Sequence, residues 1–136
     1  MRRVQLDPLA VPFSDDAVKV VGVHWSDSGA TVIDVVSKRS GRRGKVTFQD
    51  DVGLRILDEL DLAGTWIGSD PAVLKATWLF EVSAGGWLDL ESTRDDFYTK
   101  HEVPVREFLI AGYQACVSVF SRLGPTTIEV HGESDV

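Results

Sequence analysis

Apolar residues recur at every second position across residues 78–91, and this segment carries the most informative pattern in the chain. The positions of one parity are apolar or small: Trp78, Phe80, Val82, Ala84, Gly86, Leu88 and Leu90. Because successive side chains of a strand point to opposite faces, this alternation predicts one long bent strand or a hairpin. The larger side chains of this set are expected in the core: Trp78, Phe80, Val82, Leu88 and Leu90.

Three segments in the first half of the chain predict an antiparallel meander. Residues 18–25 are mostly β-branched or apolar, and a Ser-Asp-Ser-Gly turn separates them from the similar residues 31–37. After a polar loop, residues 45–49 alternate, and Val46 and Phe48 are expected to face inward. Turn residues between short apolar segments are typical of hairpins, so we expect these strands to pair in order.

The last third of the chain predicts one more hairpin and a final strand. Residues 108–111 and 116–121 are strongly apolar and flank a turn that contains glycine. Residues 127–131 alternate, which predicts a strand with Ile128 and Val130 facing inward. Short strands separated by turns favour antiparallel sheets over a parallel α/β fold.

Short helices are predicted between the strands. Residues 54–57 fit a strand, and residues 58–63 fit a helical turn that the following glycine ends. Asp70 is a suitable N-cap and Pro71 a suitable first helical residue, so we expect a helix that continues to about Ala76.

The fold class predicted from these segments is α+β, with a predominantly antiparallel β sheet or partly closed barrel and one to three short helices. The length of 136 residues suits a single domain over residues 1–136. Within it, residues 1–16 are expected to form an irregular N-terminal segment, and residues 132–136 are expected to fray.

The net charge of −7 narrows the choice of partners. An acidic surface repels phosphates, so we expect no nucleic acid and no anionic membrane as a partner, and a cationic protein is favoured. Solubility alone is the alternative explanation of this charge. The N-terminal segment has no uninterrupted apolar region and no run reaches the length of a membrane span, so we expect a cytoplasmic protein.

A candidate binding site lies on the polar side of residues 78–91. Trp87 stands beside Asp89 and Glu91, and Glu81 would join them if the glycine pair bends the strand back. Two carboxylates on one strand face can perform acid–base chemistry, and an indole can stack on a sugar or another planar group. The alternative is a solvated sheet face whose charges protect an edge.

Residues typical of catalysis or metal binding are few and scattered. His24, His101 and His131 occur in no metal-ligating spacing, and no serine lies in a nucleophile elbow. The single cysteine, Cys116, begins an apolar segment and is expected to pack as a small hydrophobe. We therefore predict no catalytic residue, no metal site and no cofactor, and an enzyme is less expected than a binding protein.

Charged clusters and exposed indoles suggest protein binding. The acidic cluster consists of Asp50, Asp51, Asp58, Glu59 and Asp61, with only Arg55 opposing it. The basic loop contains Lys38, Arg39, Arg42, Arg43 and Lys45. Both could simply be solvated, but a dipolar surface also suits self-association or a charged partner. Trp25 and Trp87 are the tryptophans that could be exposed at a binding site.

Three stretches carry a resemblance to a known group of proteins: residues 46–59, residues 85–91, and residues 107–112 together with 116–119. They resemble small uncharacterised bacterial single-domain proteins, some of which are grouped with toxin-immunity proteins. The resemblance implies a bacterial interaction protein and assigns a role to no residue.

The function favoured by the sequence is therefore a non-catalytic protein-interaction protein of a bacterial cytosol, of an immunity-like kind. The alternative is a small-ligand-binding domain or an enzyme that uses carboxylates on a concave sheet face, lined by Trp87, Asp89 and Glu91 with Glu81 and His24. A homodimer paired through the strand at residues 127–131 is a further possibility, since an exposed edge strand can pair with its own copy.

Overall fold

The structure is a computed structural model that describes residues 3–14, 17–27, 29–101 and 104–131. Within these residues the strands are β1 (Gln5–Pro8), β2 (Val18–His24), β3 (Thr31–Ser37), β4 (Arg43–Phe48), β5 (Asp51–Asp58), β6 (Leu79–Ala84), β7 (Arg106–Ile110), β8 (Ala115–Ser121) and β9 (Thr126–Val130). The helices are α1 (Ala63–Gly68), α2 (Pro71–Ala76) and α3 (Trp87–Glu91). Two short 3-10 helices span Glu59–Leu62 and Tyr98–His101.

The strands form two antiparallel sheets. A five-stranded sheet has the order β1-β6-β7-β8-β5, and a four-stranded sheet has the order β2-β3-β4-β9. These sheets, as described, do not close into a barrel, so of the two predicted architectures the open antiparallel sheet is confirmed. The α+β class and the three short helices are confirmed as well.

The two sheets face each other across the main core. The five-stranded sheet contributes Leu79, Phe108, Ile110, Val117 and Val119, and the four-stranded sheet contributes Val18, Ile33, Val35, Val46 and Phe48. We call this side of the five-stranded sheet its inner face. The outer face carries a second cluster of Leu6, Phe80, Val82, Leu109 and Cys116, on which Leu62, Trp66, Val73 and Leu74 of the helical segments pack. The molecule is therefore layered as sheet, sheet and helices.

The predicted meander is confirmed. β2 pairs with β3 and β3 with β4, both antiparallel. Side chains of β3 alternate between buried and half-buried, as the sequence pattern predicts for a strand with one face on the core. The hairpin of β7 and β8 is confirmed too.

The predicted helix after Asp70 is also confirmed. The Asp70 carboxylate accepts a hydrogen bond from the backbone N–H of Ala72 at 2.9 Å, and Pro71 is the first residue of the helix. The prediction that the preceding helical turn ends at Gly64 is wrong, because α1 continues to Gly68. The Trp66 indole donates a hydrogen bond to the backbone oxygen of Glu59 and so ties α1 to the 3-10 helix before it.

The long strand predicted over residues 78–91 is only half correct. Trp78, Phe80 and Val82 are buried as predicted, but β6 ends at Ala84 and residues 87–91 form α3. Leu88 is consequently only half-buried, and Leu90 is 59% exposed. Leu79, predicted on the polar side, is buried because β6 is covered on both faces.

Two predictions at the chain ends need correction. Residues 5–8 form β1, which pairs with β6, so the N-terminal segment is not irregular throughout. The prediction that Ile128 and Val130 face inward is wrong, because they pair with Lys45 and Arg43 on the outward face of the sheet, whereas Thr127 pairs with the buried Val46. Ile128 is accordingly 57% exposed, and Val130 is half-buried. The predicted frayed tail at residues 132–136 lies outside the described residues.

No helix in the described ranges is both long enough and apolar enough to cross a membrane.

Candidate functional site

A glycine pair turns the chain from β6 into α3. Gly85 has a φ of +78°, and a Cβ there would clash with the backbone oxygen of Arg3. A Cβ on Gly86 would lie 2.6 Å from a methyl group of Val82. Only glycine fits this tight approach, and the chain then leaves the sheet to cover its outer face.

The predicted carboxylate pair does not share a face. Asp89 and Glu91 are two residues apart on a helix, where such neighbours point to different sides. Asp89 accepts a hydrogen bond from the backbone N–H of Gly85 at 2.7 Å and holds the turn. Glu91 accepts from the Trp87 indole at 3.3 Å and pairs with Arg94 at 2.6 Å. Both carboxylates therefore support α3 itself.

Glu81 lies apart from these residues. It pairs across the sheet with Phe108, whose ring lies in the inner core, while the Trp87 side chain packs on the outer face. Both Glu81 oxygens accept hydrogen bonds from Arg106, each at 2.8 Å. This pairing lowers the pKa of Glu81. The grouping of Glu81 with Trp87, Asp89 and Glu91 is therefore not found.

A cavity of ≈ 360 Å³ does lie beside Trp87, and we call it the Arg55 cavity. It is formed between the outer face of the five-stranded sheet and the helical segments. Its polar lining residues are Arg55, Asp61, Thr65, Thr93, Glu107 and Ser118. Its apolar lining residues are Val4, Leu57, Leu62, Val82, Trp87, Leu90 and Leu109. Asp89 and Glu91 do not line it.

Trp87 is held in place by contacts with two side chains of the sheet, Phe120 and Arg55. Its ring lies 3.9 Å from the ring of Phe120 at an interplanar angle of 22°, and the Arg55 guanidinium carbon lies 4.8 Å from its ring centroid. An arginine over an indole gains a cation–π attraction. Trp87 therefore acts as a rigid wall of the cavity.

Glu107 is a buried carboxylate that holds the start of α3. It is 4% exposed, and its two oxygens accept hydrogen bonds from the backbone N–H groups of Trp87 at 3.1 Å and Leu88 at 2.8 Å. The first N–H groups of a helix have no acceptor within the helix, so Glu107 supplies the two acceptors that the first turn of α3 lacks. Burial raises the pKa of Glu107, while the two hydrogen bonds and Arg55 oppose this rise.

A second site candidate surrounds Trp25, whose side chain is 61% exposed. An open groove of ≈ 440 Å³ beside it is lined by Trp25, Ser26, Asp27, Gly29, Ala30, Gln49, Asp50, Asp51, Val52, Gly53 and Leu54. We call this group the Trp25 surface. It brings the predicted exposed indole together with the first two residues of the predicted acidic cluster, which the sequence analysis treated separately.

The carboxylates of the Trp25 surface are positioned by neighbouring strands. Asp51 accepts a hydrogen bond from the Thr31 hydroxyl at 2.9 Å, and Asp50 pairs with Arg122 at 3.1 Å. Asp27 is exposed in the turn after β2. The surface thus combines an exposed indole with three carboxylates, one of which is already paired with a cation.

The remaining predicted residues are placed as follows. His24 Nε2 lies 2.8 Å from Asp34, whose other oxygen accepts from Lys45 at 2.7 Å, and the pKa of Asp34 is lowered by these two partners although its burial opposes them. Cys116 is buried as predicted, and burial raises the pKa of its thiol to about 11. His131 is exposed, and the side chain of His101 lies outside the described residues.

Sequence reasoning missed Arg55 and Glu107 as site residues. Arg55 is the lone cation within an acidic segment, and Glu107 lies directly before the apolar residues 108–111. The available signal was therefore a charged residue next to apolar residues in a predicted strand. Among the described residues, no group of three or more His, Cys, Asp or Glu side chains is arranged to hold a metal ion.

Fold and site together define a two-sheet α+β protein with an acidic aromatic surface and a separate, partly open cavity. Comparison with protein-family models, with curated proteins and with solved structures finds no match.

Proposed function

We propose that this chain is a non-catalytic protein-interaction protein of the bacterial cytosol that binds a cationic partner through the Trp25 surface. The observation that carries the proposal is the 61% exposure of an indole beside Asp27, Asp50 and Asp51. Tryptophan is enriched at binding hot spots, and an indole face attracts Lys and Arg side chains.

Charge supports the choice of partner. The chain has a net charge of −7, so a basic protein is attracted at long range before it docks. The carboxylates around Trp25 then provide complementary contacts at short range. The three stretches at residues 46–59, 85–91 and 107–112 with 116–119 resemble small bacterial proteins, some of which are grouped with toxin-immunity proteins, and this resemblance supports a basic toxin as the partner.

A defined peptide tests the charge requirement. A short Lys/Gly peptide is titrated into the protein while tryptophan fluorescence is recorded, with an Asp/Gly peptide of equal length as control. We expect saturable binding of the basic peptide only, weakened as salt rises from about 0.05 to about 0.5 M because ions screen exposed charges. Equal binding of both peptides, or no binding of either, would contradict the proposal.

Matched variants locate the surface. Trp25→Ala should weaken binding of the basic peptide about tenfold, as expected for a hot-spot residue. Tyr98→Ala removes another exposed aromatic side chain, 72% exposed, and should leave binding unchanged. Asp27→Asn should weaken binding, whereas Asp95→Asn, with the same change of net charge, should not. The same variants applied to capture from the native host should lose or keep the partner in the same way.

A further inference from the structure

The Arg55 cavity is a second candidate binding site, because it shares no lining residue with the Trp25 surface. Its volume of ≈ 360 Å³ lies at the lower end of the range for small-molecule sites, about 300–1,000 Å³. Its walls are mostly apolar with a few polar groups, which is the usual composition of such sites.

Arg55 is incompletely satisfied by the protein. Within the described residues, its Nε–H group is buried and has no hydrogen-bond partner. Buried polar groups are nearly always hydrogen-bonded, and an unsatisfied one costs free energy. Stacking on Trp87 orients the guanidinium but supplies no acceptor.

Glu107, the buried carboxylate in the cavity lining, does not accept a hydrogen bond from this Nε–H group. Both oxygens of Glu107 already accept hydrogen bonds from the backbone of α3, although its charge still attracts Arg55. Asp61 also lines the cavity, but it is exposed and solvent screens its charge. The charge of Glu91 also attracts Arg55, but Glu91 does not line the cavity and already pairs with Arg94. Among the lining residues, the guanidinium is therefore the cationic group that can meet a ligand.

We propose that the Arg55 cavity binds a small monocarboxylate with an apolar body. The carboxylate pairs with the Arg55 guanidinium, since arginine recognises carboxylates with a directed pair of hydrogen bonds. The apolar body lies against Leu57, Leu109 and the other apolar walls, where its burial is favourable. A free inorganic anion would leave these walls without a contact.

Ser118 supports this orientation of the site. It pairs directly with Arg55 across β5 and β8, and with Leu109 across β7 and β8. The guanidinium, a hydroxyl and an apolar wall therefore follow one another across neighbouring strands on the outer face. Side chains on paired strands are held rigidly, so the site is formed before a ligand arrives.

Phenylacetate is the probe for this proposal, and the full-length wild-type protein is used. Two-dimensional ¹H–¹⁵N NMR should show saturable shifts at the backbone amides of Trp87 and Leu88 and at the Arg55 Nε–H. Phenylacetamide has the same body without the charge, phenethylamine carries the opposite charge, and inorganic phosphate has charge without the body. We expect all three to bind at least about tenfold more weakly.

Variants then assign the contact to Arg55. Arg55→Gln should weaken phenylacetate binding at least about tenfold, while the matched Arg43→Gln on the exposed side of β4 should not change it. Arg55→Lys keeps the charge without the planar fork and should fall between them. The NMR spectrum of each variant reports whether it is folded, and the wild-type titration stands without any variant.

Several results would overturn the proposal. These are the absence of saturable shifts with phenylacetate up to about 10 mM, equal binding of phenylacetamide or phosphate, and unchanged binding by a folded Arg55→Gln. Trp25→Ala should leave phenylacetate binding unchanged. The outcome is therefore independent of the protein-binding proposal.

Discussion

The two faces of the five-stranded sheet are both covered, but by different kinds of partner. The inner face packs on a second sheet through the apolar side chains of its central strands, Leu79, Phe108, Ile110, Val117 and Val119, and its Glu81 is paired with Arg106. The outer face is covered by short helical segments and includes a buried carboxylate, a half-buried guanidinium and a cavity of ≈ 360 Å³.

This difference separates stability from binding within one sheet. A largely apolar interface between two sheets can pack at the density of a protein interior, and the inner-face Glu81 is satisfied by two hydrogen bonds from Arg106. Short helices cannot cover a sheet as evenly, so polar groups and open space remain on the outer face. The inner face therefore carries most of the stability, and the outer face has the features of a ligand site.

A matched pair of leucines tests this comparison with the largest expected effect. Leu79→Ala on the inner face should lower the free energy of unfolding by about 4 kcal/mol, because the close-packed core cannot fill the space. Leu109→Ala on the outer face should cost only about 2 kcal/mol, because Leu109 already borders a cavity. Urea denaturation measures both, and an equal or larger loss for Leu109→Ala would break the comparison.

Substitutions of Gly85 and Gly64 test how the helical segments are attached to the outer face of the sheet. Gly85→Ala should cost about 2–3 kcal/mol, since a Cβ would meet the backbone oxygen of Arg3 and φ is +78°. Gly64→Ala in α1 is the matched control, because a Cβ there meets nothing within 4 Å. It should stabilise the protein by about 0.5–1 kcal/mol through helix propensity. Thermal unfolding of both variants gives the comparison, which fails if Gly85→Ala is as stable as the wild type.

Two glutamates on opposite faces should respond to pH with opposite signs, and this is the smallest effect. Burial raises the pKa of Glu107 above the ordinary value of 4.5, so its contribution to stability is greatest at low pH and is lost as pH rises through the folded pKa. Arg106 lowers the pKa of Glu81 below 4.5, so its contribution is present above that value and is lost as pH falls through the folded pKa.

Stability measured between about pH 3 and pH 7 for the wild type, Glu107→Gln and Glu81→Gln separates the two contributions. As pH falls, the stability of the wild type relative to Glu107→Gln should increase. Its stability relative to Glu81→Gln should decrease over the same range. Slopes of the same sign would show that the two carboxylates do not differ in environment as described.

Much of the sheet structure could be predicted from local sequence. The predicted strand at residues 31–37 matches β3, because its alternation reports a half-buried strand directly. The helix after Asp70 was predictable from an N-cap and a proline, which act within one turn. These elements depend on neighbours in sequence.

The candidate site could not be predicted in the same way, because distant residues decide it. α3 has five residues, too few for alternation to be distinguished from a helical period. Its first turn depends on Glu107, and the turn before it on the closeness of Gly85 to Arg3. Arg55 is likewise covered by Trp87 of α3, so the wrong prediction at residues 87–91 concealed the roles of both Arg55 and Glu107.

The position of β9 bears on how the chain folds. β2, β3 and β4 follow one another, so each finds its partner across a short loop. β9 completes the same sheet from the far end of the chain, and its contact between Arg42 and Glu129 joins residues 87 apart in sequence. Closing so long a loop costs entropy before any contact offsets it. We therefore expect a slow-folding chain in which the last strand joins a meander that formed early.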